Sequence, residues 1–215
     1  MTHIPQVTQV QQTLHVDEFF VKQLSFILSV MKLLGVVQVA HIADRSLSTI
    51  STALNRFIKK AKSRDFDIQA LHSDGEGAIH SMIPELHSHG ITVVPAGPGA
   101  HVPVAERYIQ IIKGQVRSFE YSLSYVMTRT ILIFCALFCT AAMNQVIPTN
   151  HDLRVSPHEQ FTGRKLNMAT DLRFGFGDYV QATVTNTANT MKTRTEGCIA
   201  TAVSGHRPSC HTRPI

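Results

Sequence analysis

Three short apolar runs open the chain: Leu14 to Val21 (LHVDEFFV), Phe26 to Met31 (FILSVM) and Val36 to Ile42 (VVQVAHI). Each is rich in β-branched, aromatic or long aliphatic residues. Only Lys22-Gln23 and Leu33-Leu34-Gly35 stand among the polar and glycine breaks between them. Links that short exclude a crossover and predict an antiparallel meander. The period then changes: Leu47, Ile50, Leu54, Phe57, Ile58 and Ala61 recur at helical spacing behind Ser46, a residue suited to cap the helix. That helix ends in Lys59, Lys60, Lys62 and Arg64, cations that complement a helix C-terminus.

Asp67 to His72 (DIQALH) reads as a fourth strand, reached through a helical crossover and so able to lie parallel in the sheet. A turn at Ser73-Asp74-Gly75 and a helix from Ala78 to His89, stopped by Gly90, lead to a fifth strand, Ile91 to Val94. After the Gly- and Pro-rich Pro95 to Ala100, Pro103 suits the first turn of a helix. Its expected buried stripe is Val104, Tyr108, Ile111, Ile112, Val116 and Phe119. A long apolar helix from Leu123 to Val146 follows. The order predicts an α/β domain over residues 1–148, a mixed five-stranded sheet flanked by helices. Residues 149–215 read as an irregular, partly disordered and truncated extension with one strand at Asp178 to Val184.

Composition narrows the class. With 215 residues and 44% hydrophobic content the chain can bury a core. A net charge of +5 and a pI near 9.2 favour a polyanionic partner. Four cysteines without paired CxxC spacing argue for free thiols in a reducing, intracellular setting. The N-terminal stretch lacks signal-peptide character, and the apolar run Thr130 to Met143 falls short of the ~20 residues that cross a bilayer. His80, His87 and His89, and the tail residues Cys198, His206, Cys210 and His211, match no recurrent zinc spacing and read as incidental.

Three acids carry the candidate chemistry. Asp17 sits inside the first apolar run, where a carboxylate is costly unless polar or charged partners surround it. Asp74 follows the fourth strand and Glu106 opens a helix. If the strand ends and the helix start face one another, three oxygen donors converge, a set suited to Mg²⁺ or Mn²⁺. Two such ions serve phosphodiester displacement by activating a nucleophile and stabilising the leaving oxygen. Each acid also has a purely local reading, as strand-end hydrogen-bonder, turn residue and helix-start charge respectively. On the glutamate helix, Gln110, Lys113 and Arg117 continue the line of Glu106 at intervals of three or four, a face that suits phosphates or plain solvent.

The order and spacing of Asp17, Asp74 and Glu106 resemble the D,D,E triad of retroviral and retrotransposon integrases. The surrounding phrases agree: LHVDEFF with the first-aspartate strand, LHSDGEGA with the second-aspartate turn, and PGAHVPVAERYIQIIKGQVRS with the loop and glutamate helix of Copia-type retrotransposons. SPHEQFTGRKLNMATDLRFGFGDYV resembles the segment that follows the core in those polyproteins. The resemblance implies a ribonuclease H-like catalytic core that hydrolyses and transfers DNA strands with two Mg²⁺ or Mn²⁺ ions held by Asp17, Asp74 and Glu106. It also implies that Gln110, Lys113 and Arg117 face DNA, that the loop at Gly97 to Ala100 moves at the active site, that a homo-oligomer forms, and that the enzyme acts in the nucleus. Two departures stand out: Glu76 adds an acid beside Asp74, and no HHCC zinc module precedes Asp17. Both favour an alternative, a decayed, catalytically inactive module that keeps nucleic acid on Lys59, Lys60, Lys113 and Arg117.

Overall fold

The computed structural model describes residues 11–74, 77–95, 103–147, 155–171, 174–183 and 195–201. Strands β1 (Gln12–Val21), β2 (Leu24–Met31) and β3 (Val36–Ile42) form the antiparallel meander. Helix α1 (Leu47–Lys62) crosses to β4 (Ile68–Ser73), which lies parallel beside β1. The short helices α2 (Gly77–Ser81) and α3 (Ile83–Ser88) lead to β5 (Thr92–Pro95), parallel to β4. The sheet order is therefore β3-β2-β1-β4-β5, with β1 at its centre. Helices α4 (Pro103–Ser122) and α5 (Arg129–Gln145) complete the main body.

The pleat divides each strand between two cores. Leu14, Val16, Ile27, Met31 and Leu71 meet Ile50, Leu54, Phe57 and Ile58 of α1 on one face. Phe19, Val21, Phe26, Leu28 and Val30 meet Ala105, Ile109, Ile112 and Val116 of α4 and Leu132, Cys135 and Cys139 of α5 on the other. The apolar α5 is thus a covering helix, and among the described residues no helix is long and apolar enough to cross a membrane. Cys135 and Cys139 are free thiols, and the hydrogen bond between them and their burial push the Cys139 thiol far up.

Several boundaries differ from the sequence expectation. The helix expected over Ala78 to His89 breaks at Met82, because Pro84 lacks the N–H that would continue the ladder. The last helix starts at Arg129 rather than Leu123, where the Thr128 hydroxyl accepts from Ile131 N–H and supplies the cap. On α4 the buried stripe is rotated: Ala105 and Ile109 are buried with Ile112 and Val116, whereas Ile111 is 40% exposed and Val104, Tyr108 and Phe119 are only partly covered.

The described residues from 155 onward include further elements. Helix α6 (Pro157–Thr162), capped by Ser156 and closed by Gly163 in the left-handed region, sends Phe161 into the α1 core, stacked on Phe66 with ring centroids 5.6 Å apart. Phe176 enters the α5 core against Phe119 and Phe138. A one-turn helix α7 (Met168–Asp171) supplies Asp171, gripped by Arg164 Nη2 at 2.8 and 3.0 Å. Strand β6 (Tyr179–Thr183) pairs antiparallel with β7 (Thr195–Ile199), a strand the sequence reading did not expect.

Candidate active site

The parallel ladder between β1 and β4 ends with Val16 opposite Ser73. Asp17 and Asp74 each stand one residue further on neighbouring strands about 5 Å apart, Asp17 midway along β1 and Asp74 just past the end of β4. Asp17 still belongs to β1, opposite Leu28 of β2, and is half-buried; Asp74 has left β4 and is exposed. Since Val16 faces α1, the alternation turns His15 and Asp17 toward α4 and α5, beside Phe19. Helix α4 crosses β1 and β2 on that face, and Glu106 in its first turn is half-buried beside the fully buried Ala105.

Among the described residues no three His, Cys, Asp or Glu side chains come close enough to hold one metal ion. The sheet brings Asp17, within β1, and Asp74, just past β4, onto neighbouring strands and sets Glu106 on the helix over the Asp17 face, but among the described residues no three-donor group forms. Like charges repel, and an intervening cation is what makes a tight carboxylate cluster tolerable. Glu76 and the loop residues 97–100 lie outside the described residues, as do His206, Cys210 and His211. His80, His87 and His89 are exposed and belong to no metal-holding group among the described residues. In donor chemistry the three carboxylates fit a hard divalent ion, and Asp17 and Asp74 each directly follow the last pair of the β1–β4 ladder, Val16 with Ser73.

The line of polar residues beyond Glu106 divides. Gln110 and Arg117 are exposed, Lys113 is half-buried, and Arg117 Nε donates to the Lys113 carbonyl at 3.2 Å. Two cations thus stand one helical turn apart on the α4 surface.

Two features behind the acids were not singled out from the sequence. His15 and His72, paired across β1 and β4, stack with ring centroids 5.0 Å apart and planes 13° from parallel. His15 is only 7% exposed, and neither of its ring nitrogens has a hydrogen-bond partner. Burial, then His72 and Lys32, lower its pKa to about 4, so it is neutral at physiological pH. The signal was present: both aspartates follow a histidine by two residues, as HVD and HSD, which in a strand places each pair on one face. The second feature is Glu18, whose buried Oε2 accepts from Arg45 Nε at 2.8 Å while Arg45 lies over the Phe20 ring at 5.8 Å. This strap ties the end of β1 to the segment that enters α1.

No protein-family model matches the chain, and no curated protein matches it. Among solved structures it is similar to the catalytic core domain of BIV integrase, with a TM-score of 0.55 and 14% sequence identity. That similarity covers 72% of this chain and 95% of the other. The chain therefore has the ribonuclease H-like fold of a retroviral integrase core: a mixed five-stranded sheet with helices on both faces.

Proposed function

We propose that this chain is the integrase catalytic core of a Copia-type transposable element, an enzyme that cuts and joins DNA phosphodiesters. What supports this reading is the β1–β4 register, whose last pair, Val16 with Ser73, directly precedes Asp17 and Asp74, in a fold like that of the BIV integrase catalytic core. Asp17, Asp74 and Glu106 would hold two Mg²⁺ or Mn²⁺ ions. When bound, such ions lower the pKa of a coordinated water or hydroxyl and neutralise charge on the leaving oxygen. The chain's own residues do the rest. The central strand β1 carries Asp17 and the turn after β4 carries Asp74, and Lys113 and Arg117, with Gln110 between them and Glu106, hold the DNA backbone beside the acids without reading sequence. A water or a DNA 3′-hydroxyl is then the nucleophile. In this reading the protein works in the nucleus and assembles as a homo-oligomer on DNA ends.

The test is a strand-transfer and nicking assay with purified protein and Mn²⁺. Asp74→Asn is expected to lower product at least a hundredfold with the fold intact by circular dichroism. Product undiminished in that variant contradicts the assignment. A second reading, an inactive module that binds nucleic acid, is favoured by the absence of a three-donor group among the described residues. It predicts DNA binding without product in either protein.

A further inference from the structure

On the face of the sheet opposite the acids, α1 presents Arg56 and Lys60 four residues apart with Lys59 beside them, and Arg64 follows in the turn just past the helix; all four are exposed. Like charges four residues apart oppose helix formation. Cations in the last turn complement the helix dipole, which accounts for Lys59, Lys60 and Lys62 but not for Arg56, a turn and a half further in. Among the described residues none of Arg56, Lys59, Lys60 and Arg64 forms an ion pair.

Helix α6 is seated against this row. The Lys60 ammonium lies 5.7 Å from the centroid of the Phe161 ring, and Arg64 Nη1 donates to the Thr162 carbonyl at 3.3 Å. Just past α6, Lys165 is exposed and adds a further cation, whereas the charge of Arg164 is met by Asp171. The nearby acids are largely engaged: Asp171 holds Arg164, Glu159 accepts from Leu166 N–H, and Glu85 accepts from Asn55 Nδ2. Asp65 and Asp67 stand exposed in the turn after α1 and are the acids left to solvent there. Lys60 keeps much of its surface in solvent, but desolvation of its side chain, and then the charges of Arg56 and Arg64, lower its pKa.

We propose that the seam between α1 and α6 is a second phosphate-binding surface, separate from the α4 face, on which Arg56, Lys60 and Arg64 hold the backbone of a duplex DNA segment. Arg56 and Lys60 lie on one side of α1 with Arg64 just beyond its end, and cations so grouped hold a phosphate backbone without base contacts. Because α1 and α4 cover opposite faces of the sheet, a duplex on one seam leaves the other free for a second segment. The inference goes beyond the proposed catalysis, and its test is run without divalent ions so that the two can fail separately.

The experiment is fluorescence anisotropy of a labelled 30-base-pair DNA duplex of random sequence, titrated with the full chain in EDTA at several salt concentrations. The triple variant Arg56→Gln, Lys60→Gln, Arg64→Gln is compared with the parent and with the control His87→Gln, an exposed position outside both surfaces, all checked for an unchanged melting transition. Each lost phosphate contact lowers the slope of log K against log salt by ~0.9, so the triple variant should lose about 2 to 3 units of slope while His87→Gln loses none. A parallel run with duplex RNA separates the sources of phosphate. Loss on DNA, with or without loss on RNA, supports the proposal; loss on RNA alone, an unchanged slope, or no DNA binding by the parent overturns it. If the triple variant melts early, single Lys60→Gln and Arg56→Gln variants replace it, each expected to lower the slope by about 1.

Discussion

His15 lies flat against His72 across the central strand pair, ring centroids 5.0 Å apart, and each ring is two residues before an aspartate, Asp17 within β1 and Asp74 just past β4. The stack joins the two strands directly before the aspartates. Removing the ring in His15→Ala is expected to cost about 2 kcal/mol, with His15→Phe recovering most of that. A double-mutant cycle with His72→Ala should give a coupling of about 0.5 to 1.5 kcal/mol by urea denaturation. Additive losses would show that the rings do not support one another.

Asn144 near the end of α5 treats the edge strand β3 as a partner strand would. Its Oδ1 accepts from Val37 N–H at 2.8 Å and its Nδ2 donates to the Val37 carbonyl at 2.7 Å. Asn144→Leu strands both backbone groups and should lower stability by about 1 to 3 kcal/mol. Amide exchange at Val37 should quicken more than exchange at Ile27, in the middle of the sheet.

Gly35 closes the turn between β2 and β3 with φ of +65°. A side chain there meets the left-handed penalty and would stand 3.5 Å from the Tyr108 hydroxyl. Gly35→Ala should therefore destabilise by about 1 to 2 kcal/mol, read from the urea midpoint at unchanged m-value.

His41 touches the Phe26 ring edge-on, its Nε2 is buried without a partner, and burial followed by the Arg129 charge lowers its pKa below the usual 6.5. A histidine that binds its proton less readily when folded gives stability that is complete above the unfolded pKa and lost as pH falls below it. The midpoint of unfolding should thus drop between pH 7 and pH 5, and drop less in His41→Leu. His15 has the same sign and should leave part of the slope in that variant.

The sheet was legible because its strands are short runs closed by unmistakable breaks. Lys22-Gln23 and Gly35 permit only hairpins, and the amphipathic α1 demands a crossover. The α4 stripe was read one step off because Ile109, Ile111 and Ile112 all look apolar, and only the docking of the helix decides that Ile111 meets solvent. Phe161 and Phe176 looked like isolated aromatics in a loop-like tail. Their burial depends on long-range partners, Phe66 and Phe138, that no local period announces. The two aspartates were found from their setting among apolar residues and turns. The histidine layer beneath them was passed over, although HVD and HSD repeat the same offset.

Divalent-ion binding tests the central claim most directly, that strand register pairs Asp17 with Asp74 to make an ion site. Calorimetric titration of the metal-free chain with Mn²⁺ should show saturable binding that weakens at least tenfold in both Asp17→Asn and Asp74→Asn, each with an unchanged circular dichroism spectrum. No binding by the parent chain, or binding that either variant leaves intact, would contradict it.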